Sequence, residues 1–258
     1  MSRFSCIFLL LALVLSGCSS GLSHKFRELD RTISERGKYR IQLEEKADSL
    51  RRVMSGAGTD SARWEYSEQL FRLFKYWQAD SALRYLDMMD SYADGNPAKT
   101  LHATLERSMI EVLMRKYSEA ESMLNQVDTA SLTQAELAAY YKADLYLDGI
   151  KAVDEMIPAG ERRHIKRLAY INNPEIEPFE LIRRNGMQLY ESGHAKEATV
   201  ILRDLVDNSE SIEDKSEAAY SLAFAYAYTG DREKREYWLA QSAIYSMAIP
   251  IRASLALF

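Results

Sequence analysis

Cysteine is almost absent from this chain of 258 residues. Cys6 and Cys18 are the two it has, and both fall within the first twenty positions. The body that follows therefore has no disulfide and no thiol chemistry. Proline and glycine are scarce, at 5 and 11. Sheet-rich folds spend those residues on tight turns, so their scarcity points to helices joined by short loops. Concentrated positive charge is missing too: 33 Lys and Arg stand against 38 Asp and Glu, a formal net charge of −5. That balance gives nucleic acid no basic surface to bind. Catalytic and metal motifs are also lacking. His24, His102, His164 and His194 form no pair at helical ligand spacing and have no neighbouring cysteine. Gly56 and Gly58 lack a following Lys-Ser or Lys-Thr, and no serine sits in a Gly-x-Ser-x-Gly elbow. The carboxylates are spread over solvent faces, and no two are singled out. The chain reads as a non-enzyme without cofactor or metal.

What is present begins with an address. Met1-Ser2-Arg3 supplies a short positive start, and Phe8 to Leu15 is an unbroken apolar run, too short for an ordinary spanning helix. Leu15-Ser16-Gly17-Cys18 resembles the lipobox of bacterial lipoproteins. The resemblance implies a signal peptide over residues 1–17 and a lipidated Cys18 as first mature residue. It also implies a lipid-anchored place in the bacterial cell envelope, with the choice of membrane open. Several buried acyl chains, at about 0.8 kcal/mol per methylene, anchor stably where one does not. An unlipidated signal peptide with a chance cysteine is the alternative. Residues 18–23 read as a short tether.

Residues 24–54 read as one long charged helix. Phe26, Leu29, Ile33, Leu43, Ala47, Leu50 and Met54 recur at helical spacing. Arg36 and Arg40 interrupt the seam, and Gly37 weakens it by about 1 kcal/mol relative to Ala. A bend or split near Gly37 is expected, with the helix lying against the first hairpin; a coiled coil is the alternative. Asp60 or Ser61 is expected to cap the next helix.

Residues 61–258 carry a repeat. Gly186 precedes Ala198 by twelve residues, and Ser108 precedes Ala120 by the same interval. Ala223 follows Gly186 by thirty-seven, as Leu239 follows Leu202. Antiparallel helices approach closely only where a side chain is nearly absent, so a small residue on one faces a small or slim one on the next. This is the spacing of a tetratricopeptide (TPR) repeat. The expected fold is all-α, a TPR-like α-solenoid of about five helical hairpins preceded by a long N-terminal helix. The hairpins are read at Ser61–Asp94, Ala98–Val127, Thr133–Ile171 and, as a tandem pair, within Glu177–Ser242. A further apolar stretch, Ile244–Phe258, resembles the first helix of an unfinished unit, whose apolar side needs covering.

In such an array the first helices line a groove, and residues between the packing positions point into it. Here these are Arg183, Met187 and Tyr190, then Tyr220 and Phe224. Aromatic and Arg side chains bring large contact energy with few rotors to freeze, which suits a protein or peptide partner. Packing between repeats is the competing role, for Phe224 in particular. Arg162, Arg163, Lys166 and Arg167 form a basic stripe suited to an acidic peptide or lipid headgroups, or simply to solvent.

Five stretches carry a family resemblance: Leu29-Asp30-Arg31-Thr32-Ile33 with Tyr39, Lys46-Ala47-Asp48-Ser49-Leu50, Asp80-Ser81-Ala82-Leu83-Arg84-Tyr85, Ala218-Ala219-Tyr220-Ser221-Leu222-Ala223 and Gly230-Asp231-Arg232-Glu233-Lys234. Over roughly Phe26 to Ser246 they resemble a family of bacterial TPR-bearing envelope regulators of uncharacterised function. Full-length members continue into a transmembrane helix, a coiled coil and a C-terminal regulatory region. The resemblance thus implies the sensor-side repeat half of such a regulator, binding a protein or peptide. A nutrient- or glycan-binding lipoprotein, with tyrosines stacking on sugars, is the alternative.

Overall fold

The computed structural model describes residues 21–76, 78–154, 170 and 172–248. The leader with Cys18, the basic stripe and the last ten residues lie outside the described residues, as does most of the second half of the third hairpin. Among the described residues there is no strand. The helices are α1 (21–34), α2 (Arg36–Ser55), α3 (Asp60–Phe74), α4 (Ala79–Ser91), α5 (Pro97–Leu113), α6 (Tyr117–Asn125), α7 (Gln134–Asp154), α8 (Pro178–Glu191), α9 (Ala195–Asn208), α10 (Ile212–Thr229) and α11 (Arg232–Ala248). A 3-10 turn, Thr129–Ser131, joins α6 to α7. Two compact units form: one from Gln42–Leu181, the other from Met1–Ile41 with Ile182–Phe258.

Helix ends follow from local chemistry. Asn96 accepts hydrogen bonds from the backbone N–H groups of Ala98 and Lys99, and Pro97 stands at the first position, where no intrahelical donor is missed. Ser211 caps α10 by accepting from the Asp214 N–H at 3.0 Å. At the other end of α10, Gly230 adopts the left-handed conformation (φ 76°) that ends many helices. The cap of α3 departs from expectation. Thr59, not Asp60 or Ser61, accepts the Ala62 N–H, and Asp60 is the first helical residue, where its charge favours the helix N-terminus.

The N-terminal helix is split at residue 35, near Gly37 as expected. Residues 21–23, read as part of the tether, are helical. In the Gln42–Leu181 unit, the later part of α2 lies on the first hairpin as expected. Leu43 and Ala47 are buried, Ser67 Oγ donates to Met54 Sδ, and Arg51 Nε donates to the Tyr85 hydroxyl at 2.8 Å. The earlier part belongs elsewhere. In the second unit, the Lys25 ammonium lies 5.2 Å from the centre of the Tyr237 ring, so α1 rests on α11.

Cores form where the repeat spacing predicts them. Leu70, Phe71 and Phe74 of α3 meet Ala82, Leu86 and Met89 of α4, all essentially without solvent contact. Leu105, Val112, Ala120 and Leu124 close the second hairpin against Ala143 and Leu147 of α7. In the second unit an ideal Cβ on Gly186 would lie 2.7 Å from both Cγ and Cδ2 of Leu202. That is the close approach of α8 and α9 which the missing side chain permits. The α10–α11 contact is the most extensive, with Ala218, Ala219, Leu222 and Ala223 fully buried. Three buried serines join in: Ser216 Oγ lies 2.6 Å from Ser246 Oγ, and Ser242 Oγ donates to the Ser216 carbonyl. Each hydroxyl is thereby satisfied, as burial demands.

Candidate functional site

First helices of neighbouring hairpins lie side by side, and their contacts share one register. In the Gln42–Leu181 unit, α3 meets α5 through Lys99 Nζ, which donates to Ser61 Oγ, and through His102, whose ring centre lies 5.8 Å from that of Trp64. Both pairs are thirty-eight residues apart. In the second unit, Arg183 of α8 donates to Ser221 Oγ of α10 at 3.5 Å, and Tyr190 packs on Tyr228 with ring centres 4.9 Å apart. These pairs are again thirty-eight apart. One translation along the chain therefore generates the seam in each unit.

The α3–α5 seam is polar and closed by ion pairs. Glu68 accepts from Arg72 and lies 3.3 Å from His102 Nε2. The hydrogen bond from His102, with Arg72 adding to it against the opposing effect of burial, pulls the Glu68 carboxyl down to about 2. Burial would lower the Lys75 ammonium, but its contacts with Glu106 and Tyr76 outweigh that and raise it. A groove of about 540 Å³ between α5, α6 and the start of α7 is lined by Leu101, Thr104, Arg107, Met123 and Glu136 among others. Its charged groups are already engaged. Arg107 donates to both Asp87 and Asp90, and Glu136 accepts from the Thr133 backbone and hydroxyl. Little there points to a ligand.

The face of α8 and α10 differs. From Ala218 to Gly230, thirteen consecutive residues carry no charge. Three rings stand out from this stretch, one per helical turn: Tyr220 is 47% exposed, Phe224 41% and Tyr228 58%. Tyr220 and Phe224 touch each other, with ring centres 5.0 Å apart. Partial burial pushes the Tyr220 hydroxyl above its ordinary value. At its edge Arg183, with its side chain 14% exposed, sits 3.8 Å from Glu217 and 3.6 Å from Met187 Sδ.

The five residues expected to line a groove thus divide. Tyr220 and Phe224 are presented to solvent. Arg183 and Met187 are half-buried in the seam. Tyr190 is buried, only 5% exposed, and serves the packing of α8 on α10. Phe224, the residue most open to a packing role, is instead on the open side. Tyr228 was not singled out. Its signal was its place four residues after Phe224 within the uncharged run.

The model of the SusR N-terminal TPR domain matches residues 33–258. The chain belongs to this family. No curated protein and no solved structure matches it. Membership agrees with the all-α architecture of the described residues and with the resemblance to the repeat half of a bacterial TPR-containing regulator. A TPR domain is a helical-repeat scaffold for protein interaction, so the exposed ring ladder is the feature to weigh for a partner. Among the described residues no three His, Cys, Asp or Glu side chains converge as they would around a metal ion. Among them, too, no helix is long and apolar enough to cross a membrane.

Proposed function

We propose that this chain is a non-catalytic polypeptide-binding module of the bacterial envelope, tethered by lipid at Cys18 and forming the sensor side of a regulator. The observation that carries the binding role is the neutral Tyr220–Phe224–Tyr228 ladder. Half-exposed aromatic rings on a rigid helix lose little rotamer entropy on binding and offer large apolar area. A partner segment with uncharged, apolar side chains at helical or extended spacing fits such a face, because no desolvated charge opposes it.

The test is a panel of synthetic apolar peptides measured against the purified chain. Saturable binding that falls at least tenfold in Phe224→Asp and Tyr228→Asp, yet persists in Val200→Asp, supports the reading. Val200 is 69% exposed and stands on a different helix, α9. Binding untouched by the first two changes overturns it. Should soluble glycans bind instead, with affinity lost in Tyr228→Ala, the nutrient-binding alternative replaces it. The tether is tested separately. Cys18→Ser is expected to move the chain out of the membrane fraction, and unchanged fractionation refutes lipidation.

A further inference from the structure

The ring ladder has a symmetry of its own. Tyr220, Phe224 and Tyr228 read the same in either direction along α10, with Phe224 at the centre. On the reading that this face takes a polypeptide, we propose that the polypeptide is a second copy of this chain, with the two α10 helices antiparallel about a two-fold axis through Phe224.

A two-fold contact uses the same patch on both partners, so the patch must be complementary to itself. Most helix faces fail this test because a charge meets its own like. This one passes over its whole central run, which bears no charge from Ala218 to Gly230. In the antiparallel arrangement Phe224 meets the second copy's Phe224, and Tyr220 meets Tyr228.

At the ends, Glu217 falls opposite the second copy's Asp231. Each acid arrives with its own cation: Glu217 with Arg183 at 3.8 Å, Asp231 with Lys234 at 2.8 Å. The four groups can alternate in sign, which converts an acid–acid clash into two crossed ion pairs. Opposed helix dipoles add to this, since the N-terminal end of one α10 lies by the C-terminal end of the other. Size sets the strength. Aromatic side chains offer roughly 150–250 Å² each, so three rings about half exposed supply roughly 300 Å² per copy. Stable interfaces use about 800 Å² per partner, so this pairing is weak and dissociates on dilution.

Cysteine scanning tests the geometry directly, because the chain has no thiol beyond residue 18. In full-length protein carrying Cys6→Ser and Cys18→Ser, Phe224→Cys lies on the axis. Under mild oxidation it is expected to form disulfide-linked dimers at least fivefold faster than Val200→Cys. Tyr220→Cys and Tyr228→Cys lie off the axis, so each alone should cross-link slowly, while an equimolar mixture of the two should cross-link as Phe224→Cys does. Circular dichroism confirms that each variant is folded. Sedimentation of the cysteine-free chain should show weight-average mass rising with concentration, and Phe224→Arg should abolish the rise.

A concentration-independent monomer, or a Phe224→Cys rate no greater than that of Val200→Cys, overturns self-pairing. Equal cross-linking at all three ring positions also overturns it, since random collision gives that result. If the chain is monomeric yet still binds apolar peptides through Phe224, self-pairing falls and the polypeptide-binding reading survives. If neither peptide nor second copy engages Phe224, both fall.

Discussion

At Gly186 a hydrogen atom is all that the approach of α8 to α9 leaves room for. A Cβ there would meet Leu202 Cγ, a branch point held in the core, and not merely the end of a flexible chain. Replacing Gly with Ala gains about 1 kcal/mol of helix propensity, but overpacking a full core costs about 1–3 kcal/mol. Gly186→Ala is therefore expected to lower the urea midpoint. Leu202→Ala alone should cost about 2–5 kcal/mol. The double variant should cost less than the sum, because each change relieves the other. Additive losses would show that the two side chains are not in contact. A second residue-scale prediction concerns Glu68. Its carboxyl is held at about 2 against an ordinary 4.5, chiefly by His102. A depressed acid contributes stability that is present above about 4.5 and is lost as pH falls toward about 2. Its side chain is 18% exposed, so after solvent screening Glu68→Gln should cost roughly 1–2 kcal/mol at neutral pH. The gap in stability between wild type and variant should narrow below about pH 4.5 and close near pH 2, and a gap unchanged with pH would contradict this.

Elements here are bounded by short-range chemistry, which makes their ends predictable and their partners less so. Asn96 accepts two backbone donors at the start of α5. Asn96→Ala should cost about 1 kcal/mol, with Asn96→Asp nearly neutral, as read from thermal midpoints. Such caps involve residues within four positions of one another, yet the one cap read from the sequence, Asp60 or Ser61 for α3, fell late, because Thr59 takes that role. The break of the N-terminal helix was legible only as a region. Gly37 has low propensity, yet open space surrounds it inside α2, and the turn falls at Glu35. The two segments serve different units, α1 meeting Tyr237 and α2 meeting Tyr85. No local pattern around residue 25 announces a contact with residue 237. Similarly, the groove residues were read from the position of the repeat. Tyr190 and Phe224 were both placed on the open face, but the seam has a register of thirty-eight residues, and it turns Tyr190 inward onto Tyr228.

Each of the two compact units has a core of its own, and repeat proteins often unfold piecewise. Trp238 lies in the second unit, and Trp64 and Trp77 are the other two tryptophans of the sequence. In a Trp64→Phe, Trp77→Phe background, fluorescence therefore reports the unit of α8 to α11. Deleting residues 21–34 should move that transition to lower urea, because Tyr237 loses its contact with Lys25 of α1. Deletion without any shift would mean that α1 contributes nothing to this unit's stability.

The sequence by itself determined the class of architecture. Helix propensity, scarce glycine and proline, and small residues at fixed intervals are all requirements that act within one hairpin, and a repeat states them several times over. It likewise carried the family resemblance, through short stretches such as Asp80–Tyr85, Ala218–Ala223 and Gly230–Lys234. Only the tertiary structure decided which aromatic rings face solvent. That depends on how far one helix is rotated against its neighbour, and a shift of a single residue in register turns a side chain by about 100°. For this reason Tyr190 is buried in the seam while Tyr228, its partner there, keeps most of its ring exposed. The neutral ladder of Tyr220, Phe224 and Tyr228 is the result.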